Sequence, residues 1–236
     1  MRKGFFVTGT DTDVGKTIVS AGLLAAANAR GLTTAALKPV AAGCVETVEG
    51  LRNSDALLLQ QTMSVQLGYD EINPIALAPA IAPHIAAQQA NRKITIAQLA
   101  GFCRGTLMRR ADLTLIEGAG GWRVPLNSRE FFSALAVELK LPVILVVGMR
   151  LGCISHALLT AEAIARDGLT LAGWVANRCV EDMSCYEENV ATIRDLLRAP
   201  CLGEVPFLDS KGLGGEGGGP DPQQVAHYLD CTPLVG

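Results

Sequence analysis

Short apolar stretches alternate with longer segments of helical periodicity along most of the chain. The apolar stretches lie at residues 5–8, 34–40, 113–116, 142–147 and 171–176. They lack the polar alternation of a half-exposed strand, and such runs are typical of strands that are covered on both faces. Helical periodicity is clearest at residues 95–110, 154–166 and 186–197. The pattern therefore predicts strands that alternate with helices.

This alternation predicts an α/β fold in a single domain that spans residues 1–236. Repeated right-handed strand–helix–strand units build a doubly wound, mainly parallel sheet with helices on both faces. Ligands of such sheets bind beyond the carboxyl ends of the strands. The predicted strand ends that carry candidate site residues are Gly9, Lys38, Glu117, Gly148 and Asn177.

The C-terminal part of the chain has a different composition. Residues 211–220 are mostly glycine, which predicts a flexible loop. A short helix is predicted after it, at residues 223–229. No internal repeat marks a second domain.

Composition and charge narrow the possible partners and location. The net charge is −3 and no cluster of Lys and Arg exceeds a pair, which argues against nucleic acid as a partner. No apolar run is long enough to cross a bilayer, and the first strand begins too early for a secretion signal. The seven cysteines are scattered without a CxxC spacing, as is typical of reduced cytosolic thiols. We therefore expect a cytoplasmic protein with no membrane or nucleic-acid partner.

The segment GTDTDVGKT at residues 9–17 has the strand–turn–helix arrangement of a P-loop. In a P-loop, main-chain N–H groups surround the phosphates, a lysine contacts the β- and γ-phosphates, and a hydroxyl binds Mg²⁺. Lys16 and Thr17 match the last two roles, so the segment predicts a P-loop NTPase fold. The predicted phosphate-binding residues are Asp13, Val14, Gly15, Lys16, Thr17 and Ile18. Five residues rather than four separate Gly9 from Gly15, and a chance GKT in an ordinary turn is the alternative.

A second candidate lies at the end of the apolar stretch at residues 113–116. Glu117 follows that stretch and is succeeded by Gly118, Ala119 and Gly120. A carboxylate at such a strand end can hold Mg²⁺ opposite a P-loop, and small residues let the main chain approach a phosphate. The alternative is a strand-end glutamate that pairs with a neighbouring lysine.

Lys38 ends a predicted strand in the sequence LKPV. Its ammonium is predicted to project over the sheet edge toward the phosphates, where it would neutralise charge during transfer. The alternative is an edge lysine whose stem lies on apolar surface while its head stays in water.

Asp55 lies in the sequence NSDA, directly before an apolar segment. The residues alone favour a helix cap formed by Ser54 or Asp55. A functional hypothesis makes Asp55 a second carboxylate ligand of Mg²⁺. The two hypotheses are compatible, because a cap residue can also face the site.

Six segments in chain order resemble the dethiobiotin synthetase family. They are GTDTDVGKT, LKPV, EGLRNSDA, EGAGGW, PVILVVG with the following LGCI, and GWVANR. The resemblance extends from the first strand to about Leu208 and includes the lengthened P-loop. It implies an ATP- and Mg²⁺-dependent cyclo-ligase of biotin biosynthesis, which joins CO₂ to both amines of 7,8-diaminopelargonic acid. A carbamate and a carbamic–phosphoric anhydride precede the products dethiobiotin, ADP and phosphate.

The resemblance also implies roles for individual residues. The implied Mg²⁺ ligands are Thr17, Asp55 and Glu117. The implied catalytic residues are Lys16 and Lys38, of which Lys38 holds the carbamate against the γ-phosphate. The implied ATP-binding residues near the phosphates are those of the phosphate loop with Asp55, Glu117, Gly118, Ala119 and Gly120. The implied adenine-binding residues are Asn177, Arg178, Pro206, Phe207 and Leu208. The implied substrate contacts within the subunit are Thr12, Asp13, Lys38 and Ala42.

A homodimer is implied as well. In it, Gly152, Cys153 and Ser155 at a helix start hold the carboxylate of the substrate that is bound to the other subunit. Three positions depart from the family pattern. Ala42 stands where a serine is common, Ser155 where an asparagine is frequent, and Arg178 where an acid is frequent.

Three other hypotheses concern the same P-loop. A related ligase would activate another carboxylate or carbamate, but the chain has no room for a glutaminase domain. A ParA-like switch would carry a lysine early in the P-loop, where Asp11 stands. A paralogue that binds nucleotide without catalysis is disfavoured by the presence of Lys16, Lys38 and Glu117.

Overall fold

A six-stranded parallel sheet forms the centre of the fold. The computed structural model describes residues 3–109, 111–208 and 219–236, so most of the predicted loop at residues 211–220 lies outside the described residues. The strands are β1 (Lys3–Gly9), β2 (Thr34–Leu37), β3 (Val40–Ala42), β4 (Val45–Thr47), β5 (Gly50–Arg52), β6 (Ile75–Leu77), β7 (Leu113–Glu117), β8 (Val143–Met149), β9 (Leu171–Arg178) and β10 (Cys201–Val205). The helices are α1 (Lys16–Ala29), α2 (Ser54–Thr62), α3 (Tyr69–Ile72), α4 (Pro83–Gln89), α5 (Ile96–Leu107), α6 (Ser133–Leu139), α7 (Cys153–Arg166), α8 (Tyr186–Leu196), α9 (Pro222–Ala226) and α10 (Thr232–Val235).

The order of the strands determines where a ligand can bind. The order is β10-β9-β8-β1-β7-β2, and every neighbouring pair is parallel. The chain leaves β1 toward β2 at one edge and later builds β8 on the other side of β1. The carboxyl ends of β1 and β8 therefore border a switch point, where open α/β sheets bind ligands. The predicted doubly wound α/β fold is confirmed, and the phosphate loop follows β1 at this switch point.

Apolar residues cover both faces of the sheet, which accounts for the uninterrupted apolar stretches. Every residue of β7 and β8 is buried. In β8, Ile144 and Val146 belong to one apolar cluster, whereas Leu145 and Val147 belong to a second cluster with residues of α7 and α8. Within the described ranges the longest helices, α1 and α7, have 14 residues, and none has the length and apolar character that crossing a bilayer requires.

The predicted strand at residues 34–40 is wrong in its extent. β2 ends one residue before Lys38, and β3 begins directly after Pro39 in a separate two-stranded sheet with β6. Pro39 has no N–H for a strand ladder, and Lys38 N donates to the carbonyl of Ile72 at 2.9 Å. The break leaves Lys38 beyond the carboxyl end of β2.

The apolar pattern also misses β6, β10 and the hairpin of β4 and β5. β10 is an edge strand that contains Gly203 and Glu204, and the residues of β4 are exposed. β4 is exposed, β10 is only partly buried and β6 has only three residues, so none of them imposes a long continuous apolar stretch. The helix predicted at residues 223–229 is observed as the shorter α9.

Candidate active site

The phosphate loop runs from the end of β1 to the start of α1. Gly15 has a left-handed φ of +84°, and a Cβ there would lie 2.2 Å from Nδ2 of Asn177. Lys16 is buried, and its Nζ donates to the carbonyl oxygen of Asp11 at 3.1 Å. Burial lowers the pKa of Lys16 below its usual value, because the charged form loses contact with water. The loop therefore needs glycine at position 15 and holds its lysine against its own main chain.

Side chains of the loop connect it to the end of β8. The Thr10 hydroxyl accepts from Gly148 N at 3.2 Å, and the Asp11 carboxylate pairs with the Arg150 guanidinium. Asp11 also accepts from the main-chain N–H of Thr12 at 2.8 Å. Thr10 and Asp11 were not predicted as site residues, and their position inside the motif is the signal that identifies them.

Four side chains converge at the carboxyl ends of β2 and β7. Oε1 of Glu117 accepts from Thr17 Oγ1 at 2.7 Å and from Lys38 Nζ at 2.7 Å. Lys38 also forms an ion pair with Asp55 in the first turn of α2. Glu117 has no exposed surface, and Lys38 is 6% exposed. We refer to Thr17, Lys38, Asp55 and Glu117 as the charged cluster.

The charges of this cluster stabilise one another. Burial alone would lower the pKa of Lys38, but the charges of Glu117 and Asp55 outweigh burial and raise that pKa above its usual value. Burial alone would raise the pKa of Asp55, but the charge of Lys38 and the hydrogen bonds from Lys38 and Thr17 hold it below its usual value. Lys38 and Asp55 are therefore both charged at neutral pH.

The arrangement decides between the alternatives for two residues. Lys38 is buried and ion-paired, so the hypothesis of a lysine with its head in water is wrong. The cap of α2 is Asn53, whose Oδ1 accepts from Ala56 N at 3.3 Å, so the predicted cap at Ser54 or Asp55 is wrong. The glutamate at the end of β7 does pair with a lysine, and the same carboxylate oxygen contacts the phosphate loop.

The charged cluster offers oxygen ligands of the kind that bind Mg²⁺. Oε2 of Glu117 is buried and has no hydrogen-bond partner in the described part of the chain. A buried carboxylate oxygen is unfavourable unless a donor or a cation compensates it. The described residues contain no group of three or more His, Cys, Asp or Glu placed to hold a metal, so water and phosphate oxygens would complete the shell, as is usual for Mg²⁺. Thr17, Asp55 and Glu117 therefore fit this ion.

A cavity of about 1220 Å³ adjoins the phosphate loop and the charged cluster. The predicted residues that line it are Thr12, Asp13, Gly15, Lys16, Thr17, Ile18, Lys38, Ala42, Asp55, Ala119 and Gly120. Residues 80–83, Val124 and Pro125 contribute an apolar part of the wall. Pockets for one small ligand usually measure about 300–1,000 Å³, so this cavity has room for more than one reactant.

Val14 and Gly118 lie next to the cavity rather than on its wall, and Glu117, which has no exposed surface, is not part of the wall either. Val14 is buried, and a Cβ at Gly148 would lie 2.6 Å from its Cγ1. Gly118 donates to the carbonyl of Val7 at 2.9 Å and lies against Phe6. Val14 and Gly118 shape the main chain of the site through close packing.

Arg123 also lines the cavity, although it was not predicted. Its guanidinium donates to the two carboxylate oxygens of Asp167 at 2.7 and 2.8 Å. Asp167 accepts from Nε1 of Trp122 as well, at 2.8 Å, and Trp122 packs edge-on against Phe6. The place of Arg123 directly after the EGAGGW segment is the signal that could have identified it.

The predicted adenine-binding residues lie at the ends of β9 and β10. Nδ2 of Asn177 donates to the carbonyl of Val14 at 2.9 Å, so Asn177 lies against the phosphate loop. Arg178 lies over the ring of Tyr186, 5.1 Å from Cζ to the ring centroid, and its buried Nε has no partner among the described residues. Residues 206–208 directly follow β10, which pairs with β9. These five predicted residues are outside the cavity wall.

The predicted carboxylate-binding residues lie at the start of α7. Gly152 precedes the helix with a φ of +97°, and Sγ of Cys153 is 3.7 Å from Oδ1 of Asn189. Leu151 next to them is 97% exposed. The single chain does not bring Gly152, Cys153 or Ser155 to the wall of its own cavity.

Comparison with known proteins gives a consistent set of relatives. Residues 3–212 match a family model described as an AAA domain. The chain is 57% identical over 232 residues to the ATP-dependent dethiobiotin synthetase BioD of Marinobacter nauticus. The aligned residues cover 98% of this chain and 97% of the relative. It is 50% identical over 235 residues to the protein of the same name from Aeromonas salmonicida, with 100% of both chains covered.

Solved structures with the same fold are more distant in sequence. A ParA family ATPase from Chlorobium tepidum TLS has a TM-score of 0.54 and 13% identity, over 89% of this chain and 86% of that chain. The septum site-determining protein MinD from Pyrococcus horikoshii OT3 has a TM-score of 0.53 and 18% identity, over 89% and 83% of the two chains. At such low identity the likeness shows the shared P-loop NTPase fold alone.

Proposed function

The chain belongs to the family of ATP-dependent dethiobiotin synthetases, and we propose that the charged cluster and Lys16 form its active site. It is an ATP-dependent ligase that forms carbon–nitrogen bonds in biotin biosynthesis. One observation carries the assignment of the site. Oε1 of Glu117 is 2.7 Å from the hydroxyl of Thr17 in the phosphate loop and 2.7 Å from Nζ of Lys38. A single carboxylate oxygen of Glu117 thus connects the nucleotide-binding motif to a charged lysine.

The proposed substrates are CO₂, ATP and 7,8-diaminopelargonic acid. One amine adds to CO₂ and loses a proton, which gives a carbamate. A carbamate oxygen then attacks the γ-phosphorus of ATP, the bond to the β,γ-bridging oxygen breaks, and ADP leaves. The second amine attacks the carbamate carbon and loses a proton while the carbon–oxygen bond to phosphate breaks. The ring of dethiobiotin closes and phosphate is released.

Lys38 is proposed to hold the carbamate against the γ-phosphate. Its ammonium stays charged because Glu117 and Asp55 raise its pKa, and it lines the cavity. Thr12 and Asp13 line the same cavity and are proposed to contact the amine end of the substrate. Holding two reactants in line and balancing their charge are the main contributions a protein makes to phosphoryl transfer.

Thr17, Asp55 and Glu117 are proposed to hold Mg²⁺, which when bound balances the charge of the triphosphate. Lys16 is proposed to contact the β- and γ-phosphates. It would exchange the carbonyl of Asp11, its present acceptor, for phosphate oxygens. The main-chain N–H groups at the start of α1 would bind the remaining phosphate oxygens.

We further infer that Asn177, Arg178 and residues 206–208 form the base site and that two chains assemble. In such a homodimer, Gly152, Cys153 and Ser155 would bind the substrate carboxylate of the neighbouring subunit. A single domain and a cytoplasmic location are part of the same proposal.

The proposal for Lys38 is tested by Lys38→Ala. Turnover should be measured as ADP release with ATP, Mg²⁺, bicarbonate and 7,8-diaminopelargonic acid, and dethiobiotin should be detected by mass. We expect wild-type protein to form dethiobiotin in step with ADP and Lys38→Ala to be slower by about a hundredfold or more. ATP binding should be nearly intact in the variant. Loss of ATP binding in folded Lys38→Ala would make Lys38 a nucleotide-binding residue and contradict its proposed role.

Lys93→Ala is the matched control. Lys93 is exposed, lies in the segment before α5 and does not line the cavity. Its removal takes away the same charge from the protein at a distance from the cluster. Turnover of this variant should equal that of the wild type.

A further inference from the structure

A buried polar chain connects the main chain of Lys38 to the first turn of the helix that carries Asp55. It consists of Tyr69, Asn73 and Asn53, and each is 9% exposed or less. None of the three lines the cavity. They therefore have no direct part in the proposed reaction.

The first link of this chain fixes the main chain at Lys38. β2 ends one residue earlier and Pro39 has no N–H, so Lys38 lies outside the ladder of the main sheet. Instead, Lys38 N donates to the carbonyl of Ile72 at 2.9 Å. Its carbonyl accepts from Nδ2 of Asn73 at 2.7 Å. The C-terminal end of α3, Ile72 with its cap Asn73, thus holds both polar main-chain groups of Lys38.

The second link passes through the hydroxyl of Tyr69. The hydroxyl donates to Oδ1 of Asn73 at 3.0 Å and accepts from the main-chain N–H of Asn53 at 2.7 Å. One oxygen atom thus joins the residue that holds Lys38 to the residue that begins α2.

The third link leads from Asn53, through the first turn of α2, to the ammonium of Lys38. Asn53 caps α2, and Asp55 in the first turn of that helix pairs with Lys38. The side chain of Asn53 also donates to the carbonyl of Ala42 at 3.4 Å, and Ala42 lines the cavity. Hydrogen bonds therefore lead from the main chain of Lys38, through Asn73, Tyr69 and α2, back to its own side chain.

We propose that Tyr69 and Asn73 are positioning residues that set the main chain of Lys38 and its partner Asp55 relative to each other. A lysine side chain is flexible, so its ammonium is fixed only when its main chain and its ion partners are both fixed. A displacement of about 1 Å at a reacting group can lower a rate by about a hundredfold. The inference rests on the proposed role of Lys38.

Tyr69→Phe is the sharpest test, because it removes one oxygen atom and keeps the ring. It leaves the N–H of Asn53 and Oδ1 of Asn73 without their shared partner. We expect kcat to fall by about tenfold or more. Equilibrium binding of ADP with Mg²⁺ should stay within about twofold of wild type, since the phosphate loop is untouched. If Tyr69→Phe does not fold, Asn73→Ser removes the contact with the Lys38 carbonyl and has the same expected result.

Asn28→Ala is the control for a general loss of stability. Oδ1 of Asn28 accepts from the hydroxyl of Thr34 at the start of β2, and its Nδ2 donates to the carbonyl of Thr62 at the end of α2, both at 2.8 Å. Asn28 therefore also connects β2 to α2, but at the start of β2 and the end of α2, the ends opposite to those that the polar chain connects. We expect a similar decrease in the thermal midpoint of unfolding, with kcat within about twofold of wild type.

The outcomes separate this inference from the proposed function. A kcat of folded Tyr69→Phe within about twofold of wild type would overturn the positioning role, and so would an equal loss of kcat in Asn28→Ala. Full turnover by Lys38→Ala would overturn the proposed role of Lys38 and this inference with it. Suppressed turnover in Lys38→Ala with normal kcat in Tyr69→Phe would overturn the inference alone.

Discussion

The two sides of the sheet's carboxyl edge hold their polar groups in different ways. On the side of β2 and β7, Lys38 forms contiguous ion pairs with Glu117, which is buried, and with Asp55, which is partly exposed. On the side of β8 and β9, Asn177 donates to a main-chain carbonyl and Arg178 lies over an aromatic ring. A buried charge is stable only when it is paired, so the first side must be ordered before any ligand binds. The neutral amide of Asn177 carries no such requirement, and Arg178 is only partly buried.

The difference has energetic consequences. Removing one partner of a buried ion pair destabilises a protein by about 3–5 kcal/mol, whereas an ordinary hydrogen bond contributes about 1 kcal/mol. Changes on the side of β2 and β7 should therefore alter catalysis and stability together. Changes on the side of β9 should mainly alter the affinity for the nucleotide.

Glu117→Gln should lower catalytic activity most, because Glu117 contacts both Thr17 and Lys38 at the centre of the charged cluster. The amide keeps one oxygen for Thr17 and Lys38 but places an N–H₂ group where Oε2 is buried without a partner among the described residues. We expect kcat to fall by about a hundredfold and the Mg²⁺ concentration for half-maximal turnover to rise by about tenfold. Turnover measured across a Mg²⁺ titration checks both values.

Glu138→Gln is the control for that variant. Glu138 is exposed and pairs with Arg104 on the surface, and such pairs contribute about 0–1 kcal/mol. Its Mg²⁺ titration should match that of the wild type. An unchanged Mg²⁺ requirement in Glu117→Gln would exclude Glu117 as a metal ligand.

Gly15→Ala should have a smaller effect, mainly on nucleotide affinity. Gly15 lies in the phosphate loop, between the charged cluster and Asn177 at the end of β9. A Cβ at Gly15 would lie 2.2 Å from Nδ2 of Asn177 and would push that amide away from the carbonyl of Val14. Gly31 has a similar positive φ, +76°, and a Cβ there would have no atom within 4 Å, so Gly31→Ala is the matched control. Both variants should lose about 1–2 kcal/mol of unfolding free energy from the left-handed conformation. Only Gly15→Ala should also bind ADP more weakly, by about tenfold, in calorimetric titrations.

Equal ADP affinities of the Gly15 and Gly31 variants would contradict the contact between the phosphate loop and β9. They would mean that the loop tolerates a side chain at position 15. The comparison removes the backbone contribution, since both glycines have a positive φ.

Of these variants, Asp55→Asn should change the free energy of unfolding least, and its effect should depend on pH. The pKa of Asp55 is held below its usual value of 3.8, so its contribution to stability is complete above that pH and disappears as the pH falls through the lower folded value. The pKa of Lys38 is raised, so its contribution is complete below its usual value of 10.5 and is lost only in strong alkali. The stability difference between wild type and Asp55→Asn should therefore be constant from about pH 5 to pH 9 and shrink in acid.

Urea unfolding at a series of pH values measures this difference. The effect should be modest, because the Asp55 side chain is 41% exposed and water weakens its ion pair. Asp70→Asn, on the exposed surface of α3, should give a profile parallel to that of the wild type. A difference that grows in acid would mean that Asp55 is not stabilised as a carboxylate.

Much of the fold was predictable from the sequence, because its main signals are local. Burial on both faces of β7 and β8 leaves continuous apolar stretches, and the phosphate loop is contiguous in the chain. Elements with little burial, such as β10 and the hairpin of β4 and β5, leave no such stretch. The break after β2 follows from Pro39, yet the sequence does not say that the C-terminal end of α3 would replace the missing ladder.

The candidate site was predictable residue by residue but not in its contacts. Lys38, Asp55 and Glu117 were each predicted from a strand end or a motif, while Arg123 and its bond to Asp167 were missed. Ser54 or Asp55 was expected to cap α2 from residue type alone, but Asn53 has the extended conformation that a cap requires. Residue type gives the candidates, and main-chain conformation selects among them.

The alternation of strands and helices, the position of the phosphate loop and the family could all be predicted from the amino-acid sequence, since they depend on neighbours along the chain. The contact of Glu117 with Lys38, 79 positions away, and the link from Asn53 through Tyr69 to Asn73 are visible only in the folded chain. Buried polar groups must find partners among whatever groups the packing brings next to them. Those partners are fixed by how β2, α2 and α3 pack together, which no local pattern records.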